Sequence, residues 1–200
     1  MNAYTQRAGF LAAMAIAACS PGSERPGTDA AGQDTAASPE SRRMASATAT
    51  LRDASGRELG TLTLTESGSG IAVAGRLQGL APGEHGLHLH QTGRCEPAFS
   101  AAGSHWNPTD RQHGSANPQG PHAGDLPNVT IGSDSAGSVE GTTAAGSLFG
   151  ELPLLDADGA AVIVHAGRDD YSSQPSGNAG DPVACGVIEA AGADPADSLR

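Results

Sequence analysis

Lysine is absent from this 200-residue chain, and all eleven of its positive side chains are arginines. Twenty-two carboxylates oppose them, leaving a formal net charge of −11. A nucleic-acid partner wants a basic face, and docking on anionic lipid wants a basic patch; this composition argues against both. Aromatic residues are also scarce, at 3%. The core must therefore be built from Val, Leu, Ile and Ala. Such a core is modest, and covalent or metal staples would help it. The apolar run at residues 8–18 falls far short of the 18 or more residues that cross a bilayer. No segment carries a convincing amphipathic-helix period, while 28 glycines mark many turns. Cysteine is reduced to three residues, Cys19, Cys95 and Cys185.

The odd cysteine count has a reading. Arg7 followed by the short apolar run looks like an export signal over residues 1–19. The run Ile16-Ala17-Ala18-Cys19 resembles a bacterial lipobox, in which the cysteine is acylated and becomes the first residue of the mature protein. Acylation of Cys19 would leave an even number of thiols, as an exported chain in an oxidising compartment requires. The expected location is the periplasm or cell envelope, with a lipid anchor at Cys19. Residues 20–44 are Ser, Pro, Gly, Asp, Thr and Ala with almost no large apolar side chain, which reads as a flexible tether. Residues 191–200 read as a short tail.

Between them, residues 45–190 have the texture of one all-β domain. Short runs with alternating or apolar character occupy 47–51, 59–65, 71–80, 86–90, 129–131, 138–143, 148–155, 160–165 and 183–188. Turn signals at 53–56, 134–137 and 156–159 separate some of them. About eight antiparallel strands in a Greek-key β-sandwich or barrel are expected. Two loops interrupt the pattern, a long one at 91–127 and a shorter one at 166–182. A loop of the first length in a compact domain is usually functional or disordered.

The long loop carries chemistry. Six of the seven histidines lie in metal-ligand spacing: His88-Leu89-His90, then His105, His113 and His122 with Asp125, then His165. Imidazole and carboxylate suit zinc and copper. Residues two apart on a strand share a face, so His88 and His90 can reach one metal. His113, His122 and Asp125 supply three N/O donors for a tetrahedral zinc, and His105 could be the fourth. An imidazole has two ring nitrogens and can bridge two metals. His85, the seventh, is expected to be structural and bonded to backbone. Trp106 is expected to pack. Ser172 and Ser173 have no triad partners free for a serine hydrolase.

Four segments together resemble bacterial copper/zinc superoxide dismutases: Gly86-Leu87-His88-Leu89-His90-Gln91-Thr92-Gly93; His105-Trp106-Asn107-Pro108; His122-Ala123-Gly124-Asp125-Leu126-Pro127-Asn128; and 177–186, which ends in Ala184-Cys185-Gly186. The resemblance covers essentially the whole domain. It implies copper held by His88, His90, His105 and His165, and zinc held by His105, His113, His122 and Asp125, with His105 bridging. It implies a disulfide between Cys95 and Cys185. Asp169 matches a carboxylate that orients one imidazole of each site. The implied activity is dismutation of superoxide to oxygen and hydrogen peroxide. Copper would carry the electron, His105 would take and return a proton as the catalytic histidine, and zinc would hold His105. A homodimer is compatible with this reading.

One position departs from the family. Three residues before the last cysteine the family carries an arginine that docks the anion; this chain has Pro182, preceded by Asp181. Across 45–190 six arginines face sixteen carboxylates. Arg168 and Arg111 are the nearest cations in sequence. The expectation is a dismutase of lowered efficiency. The alternative is a non-enzymatic lipoprotein that binds copper and zinc on the dismutase scaffold.

Overall fold

The computed structural model of the chain describes residues 45–191. The signal segment with Cys19, the tether, and all of the tail but its first residue lie outside the described residues. Nine strands are present among the described residues: β1 (Ser46–Asp53), β2 (Glu58–Ser67), β3 (Gly70–Gln78), β4 (Gly83–His85), β5 (Leu87–His90), β6 (Val129–Ile131), β7 (Ala136–Thr142), β8 (Ala161–His165) and β9 (Pro182–Ala190). Seven form one curled antiparallel sheet in the order β5-β8-β9-β1-β2-β3-β7, and β4 pairs with β6. The all-β architecture expected from the alternating runs is what the chain adopts.

The alternation explains the core. Ala47, Ala49 and Leu51 of β1 point inward while Thr48 and Arg52 point outward; Leu59, Leu62 and Leu64 of β2 and Ile71, Val73 and Leu77 of β3 continue the inner face. Outward polar and inward apolar residues are what a one-sided antiparallel sheet requires. The β1–β2 turn closes through Gly56 N–H to Asp53 O at 2.8 Å, with Gly56 in the left-handed region at φ 82°.

β8 differs, because all five of its residues are buried. Val162 and Val164 face the main core. Ala161 and Ile163 face a second, smaller cluster with Ala102 and Cys185, against which Phe99 and Cys95 pack. The long loop thus folds back over the outer face of β8, through a short 3-10 helix at Phe99–Ala102. The Cys95–Cys185 disulfide ties it there, joining Cα atoms 5.9 Å apart and 90 residues apart in sequence.

One expectation needs correction, and one strand was not expected. The run 148–155 is not a strand. Leu148 and Leu154 are buried, but Phe149 and Leu152 are exposed, and only a single bridge joins Ser147 to Pro153. Pro153 cannot donate to a ladder, and Leu152 sits at φ 52°. The segment instead folds on itself, with Leu154 and Leu155 N–H bonded to Ser147 and Leu148 carbonyls. In compensation β4 is a strand that the alternation did not reveal, a three-residue element separated from β5 at Gly86.

Candidate metal centre

β5 is the edge of the large sheet, and its free side is covered by two returns of the long loop. Trp106 N–H bonds Leu89 O at 2.8 Å, Leu89 N–H bonds Gly124 O at 2.9 Å, and Leu126 N–H bonds Leu87 O at 3.2 Å. An edge strand has unpaired backbone groups to offer, and here they place His105 opposite His90 and Asp125 opposite His88. On its other side β5 pairs with β8, whose last residue is His165. Trp106 is buried in the main core. His85 joins no metal group: its ring lies between the carbonyl oxygens of His165 at 2.7 Å and Ala81 at 2.8 Å.

The six remaining histidines converge. One group consists of His88, His90, His105 and His165, with potential ligand atoms all within 4.8 Å of one another; a second consists of His88, His105, His113 and Asp125. His122 reaches the same carboxylate. Asp125 Oδ1 lies 2.9 Å from His105 Nδ1, 3.1 Å from His113 Nδ1 and 3.2 Å from His122 Nδ1.

Burial and hydrogen bonding test whether these residues suit metals. Five buried ring nitrogens have no hydrogen-bond partner: His88 Nδ1, His90 Nε2, His105 Nε2, His113 Nδ1 and His165 Nε2. Buried polar atoms are normally satisfied, so five converging unpartnered nitrogens are a donor set suited to metal ions. The second nitrogen of each of these rings is held. His90 Nδ1 meets Gly103 O and His165 Nδ1 meets Gly180 O, each at 2.8 Å. His88 Nε2 and His113 Nε2 meet Asp169 Oδ2 and Oδ1 at 2.8 and 3.0 Å. Fixing one nitrogen so that the other points at the ion is how ligating imidazoles are oriented. A tetrahedral ion with ligands about 2.0–2.2 Å away has donors separated by roughly 3.3–3.6 Å. The contacts around Asp125 are only slightly tighter, so a zinc-sized ion fits with small adjustments.

The electrostatics differ across the cluster. Burial pulls the His88 and His90 imidazoles down to about 4 and about 3, and lowers His165 as well. The neutral form is the ligand form. Burial also pulls on His113, but the Asp125 and Asp169 carboxylates outweigh it and raise this imidazole to about 9. Burial opposes ionisation of Asp125 and Asp169. Hydrogen bonds from His105 and His122 and the close His113 imidazole hold the first, and hydrogen bonds from His113 and His88 hold the second, below the ordinary carboxylate range.

Several contributors carry no signal in the sequence. Gly103 and Gly180 act through carbonyl oxygens, which any residue offers. Gln174 accepts from His113 N–H at 2.9 Å and donates to His113 O at 3.0 Å. The two candidate cations are engaged elsewhere: Arg168 pairs with Glu84 at 3.2 Å, and Arg111 donates to Gly120 O at 3.0 Å. Pro182 stands opposite His165 in the β8–β9 ladder, next to a register shift.

The copper/zinc superoxide dismutase family model matches residues 58–188. The chain belongs to that family. It is 42% identical over 149 residues to a Superoxide dismutase [Cu-Zn] of Caulobacter vibrioides, covering 72% of this chain and 86% of that one. It is 38% identical over 138 residues to the Superoxide dismutase-like protein YojM of Bacillus subtilis, covering 66% and 70%. The crystal structure of a SOD-like protein from Bacillus subtilis superposes with a TM-score of 0.66 at 35% identity, covering 70% of this chain and 96% of that one. Copper and zinc are the metals of this family, and the orphaned nitrogens and the Asp125 carboxylate are donors suited to both.

Proposed function

We propose that this protein dismutates superoxide to oxygen and hydrogen peroxide. The observation that carries the reading is the set of five buried, unpartnered imidazole nitrogens, whose five rings are each anchored through the other nitrogen by a carbonyl or carboxylate oxygen. His88, His90, His105 and His165 would hold copper; His105, His113, His122 and Asp125 would hold zinc. Copper supplies one-electron redox chemistry when bound, whereas zinc has none. The chain's own part is positional and protonic. His105 has Nε2 free on the copper side and Nδ1 beside Asp125 on the zinc side, so it can hold or release a proton at Nε2 while Nδ1 stays engaged. Asp169 keeps His88 and His113 from rotating.

Turnover is expected to be slower than in relatives with the docking arginine. Pro182 offers neither charge nor donor beside His165. Steering in charged clefts, for which this family is itself a standard example, is worth roughly 10–1,000-fold in on-rate. Loss of one cation is therefore expected to cost about tenfold. The same observation favours a second reading, in which the scaffold only binds copper and zinc. Activity per copper decides between them. Copper- and zinc-loaded protein should keep its activity per copper when EDTA is present to silence free copper; complete loss of activity with the chelator, at full copper occupancy, would leave only the binding role. Metal analysis should give one copper and one zinc per chain.

The lipobox-like run supports acylation at Cys19 and attachment in the periplasm or cell envelope. Intact mass after reduction and alkylation should show two newly labelled thiols and a lipidated N-terminus. Recovery of protein cleaved elsewhere would reject the anchor. A homodimer is the assembly to test, by sedimentation of the metal-loaded domain.

A further inference from the structure

We propose that Asn128 and Gln174 are a reciprocal pair of positioning residues, each clamping the main chain of a metal-orienting residue on the opposite loop, and that the pair sets the geometry of both metal sites together. The inference rests on the reading of His88 and His113 as ligands of different metals.

Asp169 is completely buried, and its carboxylate holds one imidazole on each side of the centre. A carboxylate can orient two rings only if its own backbone is fixed. Asp169 lies outside every strand, in the loop before β9, so no ladder fixes it. Asn128 does so instead: its Oδ1 accepts from Asp169 N–H at 2.9 Å and its Nδ2 donates to Asp169 O at 2.9 Å. Asn128 is anchored in turn. It immediately precedes β6, and its N–H donates to the Tyr171 hydroxyl at 2.8 Å. Tyr171 N–H returns to Asp169 Oδ1 at 2.7 Å.

The second clamp runs the other way. Gln174, on the loop that carries Asp169, holds both backbone groups of His113 on the long loop, and its Nε2 also reaches Ser172 O at 3.0 Å. The Asn128 carboxamide faces one N–H and one C=O and that of Gln174 one N–H and two C=O groups, so neither amide can be flipped without losing all of its bonds. The space is closed to alternatives. A β-carbon at Gly177 would collide with Asp169 Oδ1 and crowd His113 Nε2. Asn128 is part-buried, whereas Gln174 is exposed. Water can replace part of the Gln174 clamp but less of the Asn128 clamp, so the larger effect belongs to Asn128.

The test uses the zinc-loaded, copper-loaded protein and a second preparation with cobalt(II) in the zinc site. Asn128→Ala, Gln174→Ala and the double variant are compared with Val139→Ala, a core truncation on β7. Zinc retention is measured by chelator competition, and the two sites by the copper(II) EPR and cobalt(II) visible spectra. Asn128→Ala should weaken zinc about tenfold or more, in the range that loss of an orienting partner typically causes, and should shift both spectra. Gln174→Ala should shift chiefly the cobalt bands. The double variant should fall short of the product of the two, since coupled residues are not additive. Val139→Ala should lower the melting temperature and leave both spectra in place. Unchanged spectra and zinc retention in Asn128→Ala, or changes that Val139→Ala reproduces, would overturn the clamp. If Asn128→Ala does not fold, Tyr171→Phe, which removes only the acceptor for Asn128 N–H, should move both spectra the same way by less; no movement overturns the clamp. Failure of the wild type itself to take up copper and zinc would instead sink the ligand assignment, and this inference with it.

Discussion

The proposed copper-side and zinc-side halves of the centre are built on different backbone. His88 and His90 sit on β5 and His165 on β8, adjacent strands in one ladder with His88 opposite Ile163 and His90 opposite Ala161. His113, His122 and Asp125 sit in the long loop, outside any strand. The copper-side imidazoles of His90 and His165 are held by neutral carbonyl oxygens, and burial keeps these rings uncharged. The zinc-side rings gather around an ionised carboxylate. A sheet can preform a site because its backbone is already satisfied. A loop with little core of its own must draw order from its ligand. Asp169 and His105, the proposed bridge, are where the two modes meet.

The largest effect should come from His122→Ala. It should remove zinc and, with it, amide protection across roughly residues 109–122, while β5 and β8 keep theirs. Equal loss of protection in hydrogen exchange on both sides would break the comparison. Next, replacing both Cys95 and Cys185 by serine should cost about 2–5 kcal/mol in urea unfolding. The disulfide pins the loop that delivers the Gly103 carbonyl to His90. Copper affinity should therefore fall more than zinc affinity; the reverse order would show that the copper side is not independently preformed.

Pro182→Arg should raise the superoxide rate about tenfold. The acidic wild type should respond weakly to salt, or even speed up as its surface is screened. Pro182→Arg should instead slow as salt rises. Steep slowing of the wild type would mean that another cation steers the anion.

The smallest effect is the pH response of metal-free protein. His88 and His90 titrate near 6.5 when unfolded and near 4 and 3 when folded. Their contribution is present above 6.5 and is lost as pH falls toward those values. His113 is raised to about 9, so its contribution is present below 6.5 and is lost as pH rises through 9. The copper side should loosen first in acid and the zinc side first in alkali, as read from histidine NMR resonances. Asp125 and Asp169 are depressed and contribute fully above 3.8, so the comparison is made above pH 4. Loosening of both sides at the same end would sink it.

Much of the fold was legible because a period of two needs no distant information. Val129–Ile131 is the run read from the sequence, and β1, β2 and β9 extend their runs by a few residues. The run 148–155 misled because its leucines are buried one at a time, from a self-bonded loop whose Phe149 and Leu152 face solvent. β4 was missed because three residues carry no period.

By itself the sequence determined which side chains were available to metal. Ligand chemistry is a property of residue type, and six histidines and an aspartate in seven positions leave little ambiguity of kind. Only the tertiary structure decided which nitrogen of each ring was left free. That choice was made by Gly103 and Gly180 carbonyls, by Asp169, and by the carboxamides of Asn128 and Gln174 acting on backbone. Main-chain oxygens are present at every residue, so their use leaves no mark on sequence until folding brings one of them within 3 Å of an imidazole.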